Sequence, residues 1–140
     1  EMGCAMTPRM RQKILQANGI YLSVSAVAAL LFLDLPQVIF EVGPQSRIVS
    51  DRPFVAVGFV EAHGLALILG LFLWRATTDR FSHIAGAGAA ALLDTANLVF
   101  WDIFPAIGSL TMGYVTTSLH WGFAGAQALA ILTLRDKQSG

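Results

Sequence analysis

The chain is 140 residues long, 55% of it hydrophobic and 13% charged, and its nine basic and nine acidic residues balance to a net charge of zero. With a mean hydropathy of +0.62, this composition excludes an ordinary soluble domain and points to an all-α, polytopic membrane protein. The basic residues fall in ones and twos, so no patch argues for nucleic acid as a partner, and Cys4, the one cysteine, excludes an intrachain disulfide or a Cys-rich metal site.

Taken in chain order, four apolar runs approach the ~20 residues that a helix needs to cross a ~30 Å hydrocarbon core. They cover about 14–33, 54–74, 82–104 and 111–134, which predicts a four-transmembrane-helix bundle forming a single membrane domain over 1–140. The opening EMGCAM begins with Glu and carries no structural meaning here. Run one follows Arg9, Arg11 and Lys13 as a signal peptide's apolar region would, but it is long and lacks a clear small-x-small site, so it reads as a retained anchor. The connection 34–53, DLPQVIFEVGPQSRIVSDRP, holds Pro36, Gly43, Pro44 and Pro53, which predict an irregular outer loop whose VIF lies in the interface.

Orientation follows from the basic residues at the ends of the runs. Arg9, Arg11, Lys13, Arg75, Arg80, Arg135 and Lys137 stand on one side against Arg47 and Arg52 on the other, so both termini are expected in the cytoplasm of a bacterial-type inner (plasma) membrane. Gly86, Gly88 and Ala89 in run three, and Gly113, Gly122 and Gly125 in run four, let helix backbones approach. Tight packing within one bundle is the first reading of these residues, and a homodimer seam the second.

Counting at 1.5 Å per residue from the outer ends of the runs places Glu61 about 11 Å deep, His63 and His120 about 14 Å, Asn97 about 12 Å and Asp94 about 16 Å. Five polar side chains on three helices thus fall in one layer, where an ionisable group costs on the order of 3 kcal/mol. Asp94, Asn97 and Trp101 share one face of run three, and Thr116, His120 and Gln127 share one face of run four. Glu61 and His63 point about 200° apart. Gly58 and Gly64 beside Glu61 favour Glu61 for the interior, leaving His63 toward a flanking helix.

Each residue also has a plainer explanation. His120 alone reads as a neutral imidazole bonded to Thr116 or a carbonyl, Asp94 and Asn97 as hydrogen-bonded glue between helices, Trp101 as an interfacial anchor, and Asp34 and Asp102 as helix-end residues near headgroups. Glue rarely needs two carboxylic acids, however. The set Glu61, Asp94 and His120 therefore predicts acid–base chemistry or ligand binding.

The leading expectation is an intramembrane polar pocket for a lipophilic small molecule, including an acid–base enzyme such as an isomerase. Glu61, Asp94 and His120 are its candidate catalytic residues; Asn97, Trp101, Thr116, Phe123 and Gln127 are its candidate binding residues. Three alternatives stand beside it. The first is a proton-coupled transporter or channel subunit, the second a bis-histidine haem or metal protein with His63 and His120 as ligands, and the third an accessory subunit of a membrane complex. In plan, four helices with intramembrane carboxylates and a Trp, the chain resembles the sterol-isomerase and sigma-2-receptor superfamily. The likeness implies that such a pocket can hold a lipophile, and because the spacings differ no residue role is carried across.

Overall fold

A computed structural model describes residues 6–135, and among them every regular element is helical. Helix α1, Pro8–Ala29, opens where the sequence supplies both a cap and a start: Thr7 accepts the Met10 N–H through Oγ1 at 3.2 Å, and Pro8 takes the first position, where its missing N–H costs nothing. The chain then stays helical beyond Ala29, through a π-helical turn at Leu30–Asp34 and on into α2, Leu35–Phe40.

This corrects the expectation of an irregular loop from residue 34. Pro36 has no N–H, and its ring crowds the carbonyl four residues back, so an ordinary α-turn here would be strained. The wider π-turn, in which the Leu35 N–H bonds to the Leu30 carbonyl, opens the backbone ahead of the proline and lets the helix pass through it. VIF is accordingly the last turn of a helix. The helix stops at Glu41, whose φ of 56° is left-handed and whose N–H returns to the Gln37 carbonyl. The short α3, Ser46–Asp51, follows.

Helix α4, Pro53–Arg75, and helix α7, Leu110–Arg135, match the expected spans to within a residue at each end. Helix α5, Arg80–Val99, ends five residues before the expected 104, and the short α6, Ile103–Ala106, takes up that stretch. Asp79 caps α5: its carboxylate accepts from the Thr77 hydroxyl at 2.5 Å and from the Ser82 N–H at 2.8 Å. These bonds, the Thr77 hydroxyl first, hold its pKa down at about 2.

Two helices are long and apolar enough to cross a membrane, the 33 residues of Pro8–Phe40 and the 23 of Pro53–Arg75. The sequence treated the chain as one domain. In the structure it groups into two compact units, one comprising the chain up to Asn18 and again from Leu73, the other Gly19–Phe72. In the first, α5 and α7 pack along one another and α6 rests on α7, where Phe104 lies over Gly113 so closely that a Cβ there would stand 2.7 Å from its ring. In the second, Gly70 of α4 meets Gly19 and Ser23 of α1; a Cβ on Gly70 would lie 2.8 Å from the Gly19 carbonyl oxygen. That is the close backbone approach that small residues permit between helices.

Candidate functional site

In the first unit, α5 buries Ser82, His83, Gly86, Ala90 and Asp94, and α7 buries Gly113, His120, Ala124, Gln127 and Ala130. Their spacings of three, four and seven residues mark one face of each helix. These faces meet in a seam with polar groups at two levels.

At one level the His83 Nδ1 lies 2.5 Å from the Gln127 Oε1. An amide oxygen only accepts, so Nδ1 carries the hydrogen. Gly86 makes room for this pair, since a Cβ there would fall 2.7 Å from the Gln127 Nε2 and 3.4 Å from the Asn18 Nδ2. Asn18, His83 and Gln127 are all fully buried. Both polar atoms of Asn18, the His83 Nε2 and the Gln127 Nε2 find no hydrogen-bond partner among the described residues.

At the other level Asn97 donates to the Thr116 and Thr117 hydroxyls at 3.4 and 3.3 Å, and the Thr116 hydroxyl in turn donates to the Met112 carbonyl at 2.8 Å. Trp101 closes this end with edge-on contacts to Phe104 and Tyr114, at ring separations of 5.3 and 5.0 Å. Asp94 lies between the two levels. Its carboxyl is fully buried, and neither oxygen has a hydrogen-bond partner among the described residues. The bonds at both levels fix an antiparallel register, which sets the buried His120 of α7 within about one helical turn of Asp94 along the seam.

The structure thus brings Asp94, Asn97, Thr116, His120 and Gln127 onto one helix pair, with Trp101 at its end and Phe123 half-buried on α7. Glu61 is not among them. It belongs to the other unit and is exposed on α4, and the residue of α4 that turns to a polar partner is His63, which the sequence had assigned to the flank. The His63 Nδ1 lies 2.6 Å from the Asp34 Oδ2. Asp34, read from sequence as a headgroup-level residue, is 2% exposed at the end of the π-turn, with the buried Gln37 one turn on. His63 and His120 belong to different units.

Sequence reasoning passed over Asn18, His83 and the pairing of Asp34. His83 was legible in principle, because it stands at i−3 from Gly86, i−7 from Ala90 and i−11 from Asp94, on the face already assigned to Asp94. Among the described residues no group of three or more His, Cys, Asp or Glu side chains is placed to hold a metal ion. No family model, curated protein or solved structure matches the chain. The site's own geometry is therefore what bears on function.

Proposed function

We propose that this is an integral membrane protein of four spans, within Pro8–Phe40, Pro53–Arg75, Arg80–Val99 and Leu110–Arg135, whose α5–α7 seam binds a lipophilic small molecule through Asp94. Two of the spans rest on apolarity and length. For α5 and α7 the support is the distribution of their side chains: Phe81, Leu92, Val99, Leu129 and Leu132 are exposed, while His83, Asp94, His120 and Gln127 are buried. That is the reverse of a soluble helix, and it suits one that shows its apolar side to lipid and its polar side to a neighbour. At 20 and 26 residues these helices are about 30 and 39 Å long, enough to cross.

The ligand reading rests on one observation, the carboxyl of Asp94, buried without a hydrogen-bond donor. A buried polar group left unsatisfied costs about 1–3 kcal/mol, more if charged, and such groups in native proteins are usually met by something. A lipophile carrying an amine or hydroxyl would supply the donor. Asn97, held by Thr116 and Thr117, would orient its polar end; Trp101 and Phe123 would form apolar walls; His120 would be the second group able to exchange a proton, which suits an acid–base reaction such as an isomerisation.

The test is thermal unfolding in detergent with 1-aminoadamantane and 1-adamantanol, for wild type and Asp94→Asn, between about pH 5 and 8. The amine should raise the melting temperature of wild type more than that of the variant, with a pH dependence that the variant lacks. Equal shifts in both proteins at every pH would remove Asp94 from the site.

A further inference from the structure

Helix α4 has one side that its own chain leaves uncovered, and that side is patterned. Phe54, Gly58, Glu61, Leu65, Ile68 and Phe72 are all exposed. Their spacings of four, three, four, three and four residues follow a repeat of 3.5, the period of a seam along which one helix packs lengthwise on another. At 100° per residue the other five lie within about 60° of Glu61 around the helix. The opposite side carries Ala56, His63 and Gly70, and there His63 meets Asp34 and Gly70 meets α1.

Two residues of this stripe do not suit a helix side that meets only lipid. Glu61 is the ninth of the 23 residues of an apolar helix long enough to cross a membrane, about 12 Å from its start. An ionisable group is costly at that depth and ordinarily faces another helix or a water-filled cavity. Gly58, one turn earlier, weakens an α-helix relative to alanine. The fold of the chain does not require it, since a Cβ built there meets nothing within 4 Å, whereas one on Gly70 would strike α1. Its missing side chain leaves room beside Glu61 for a backbone from outside.

The chemistry of Glu61 selects the partner. A carboxyl that keeps its proton donates through O–H and accepts through C=O, so it is complementary to a second carboxyl. The rest of the stripe is apolar and offers no further group to hold a different polar partner. In two parallel copies related by a twofold axis, equal residues fall at equal depth, and Glu61 meets Glu61 beside the two Gly58 backbones.

We propose that this face of α4 is a dimer interface with a second copy of the chain, closed by a hydrogen bond between the two Glu61 carboxyls. The proposal rests on the reading of α4 as a membrane span. Its residues lie wholly in Gly19–Phe72, so it is independent of the ligand reading at Asp94.

The experiment reconstitutes the full chain in phosphatidylcholine vesicles and reads it in two ways. Förster transfer between donor- and acceptor-labelled copies, followed as the protein is diluted in lipid, gives the monomer–dimer equilibrium. Disulfide cross-linking in a Cys4→Ser background compares Leu65→Cys, in the stripe, with Ala66→Cys, on the half-buried side. Transfer should fall with dilution as a dimer dissociates, and Leu65→Cys should cross-link where Ala66→Cys does not. Glu61→Gln, which keeps a donor and an acceptor, should dimerise as wild type does, and Glu61→Leu about 3–30-fold more weakly, the range for one interhelical hydrogen bond. Wild type that stays monomeric at every dilution overturns the dimer and leaves the face to a different helix. Cross-linking at residue 66 as strong as at residue 65 overturns the choice of face, and wild-type dimerisation in Glu61→Leu overturns the carboxyl bond. Release of the protein from the vesicles by alkaline carbonate overturns the membrane reading of α4 and this proposal with it, whereas a retained monomer overturns this proposal alone.

Discussion

Both units bury an aspartate deep in a helical, apolar setting, and they treat it in opposite ways. Asp34 is met by an imidazole at 2.6 Å, whereas Asp94 is met by nothing among the described residues, although two hydrogen-bonded groups of side chains flank it along the same seam. Burying a carboxyl away from water carries a desolvation cost in either unit. In Gly19–Phe72 a bond inside the fold offsets that cost. Around Asp94 the cost stands, and a bound molecule could offset it. A carboxylate with one oxygen bonded to an imidazole is therefore expected to serve that histidine, and one bare at both oxygens to serve a ligand.

The sharpest way to break this contrast is to remove each group and compare signs. His63→Ala strands a buried carboxylate and should destabilise the protein by about 2–4 kcal/mol, discounted for the partial exposure of His63. Asp94→Leu replaces an unsatisfied carboxyl with an apolar group of similar size and should stabilise the ligand-free protein by about 1–2 kcal/mol. Equilibrium unfolding in mixed micelles, followed by far-UV circular dichroism, measures both. Shifts of the same sign would show that the two aspartates are not handled differently.

A second test addresses how the second unit holds its helices. Gly70→Ala places a methyl 2.8 Å from the Gly19 carbonyl oxygen, a clash with backbone that should cost about 1–3 kcal/mol. Gly88→Ala, where nothing lies within 4 Å, should leave stability unchanged or raise it by up to about 1 kcal/mol through helix propensity. Thermal shifts of the two variants should have opposite signs, and a silent Gly70→Ala would rule out the close crossing.

The smallest effect concerns the cap of α5, outside the buried sites. Asp79→Ala should cost about 1 kcal/mol. Because the folded state holds the Asp79 pKa at about 2, below its usual 3.8, the carboxylate's contribution is complete above pH 3.8 and is lost as pH falls through about 2. The stability difference between wild type and variant should therefore be flat from neutral pH down to about 4 and shrink below it. A difference that stays constant down to pH 2 would mean that the carboxylate's charge has no part in the cap.

How much of this could be read in advance varied by element. The extent of helix α7 and the shared faces of Asp94 and Asn97, and of His120 and Gln127, were legible because helical periodicity is a local property of the sequence. The passage of the first helix through Pro36 was not, because a proline in a polar stretch reads as a break until a π-turn is seen to absorb it. Asp34 was misplaced for the same reason: once the helix is taken to end at 33, its next residue falls at the headgroups.

By itself the sequence determined that the chain is helical and which polar residues share a face, since both follow from composition and a period of 3.6. Which face meets which partner was decided by the tertiary structure. Glu61 and His63 stand two residues apart on one helix with no local preference between them, and it is Asp34, 29 residues earlier, that selects His63. His83 and Gln127 likewise meet across 44 residues, at a place that Gly86 leaves open. Such pairings depend on how helices dock, and docking is set by close contacts between distant small residues, which the pattern along any one helix does not contain.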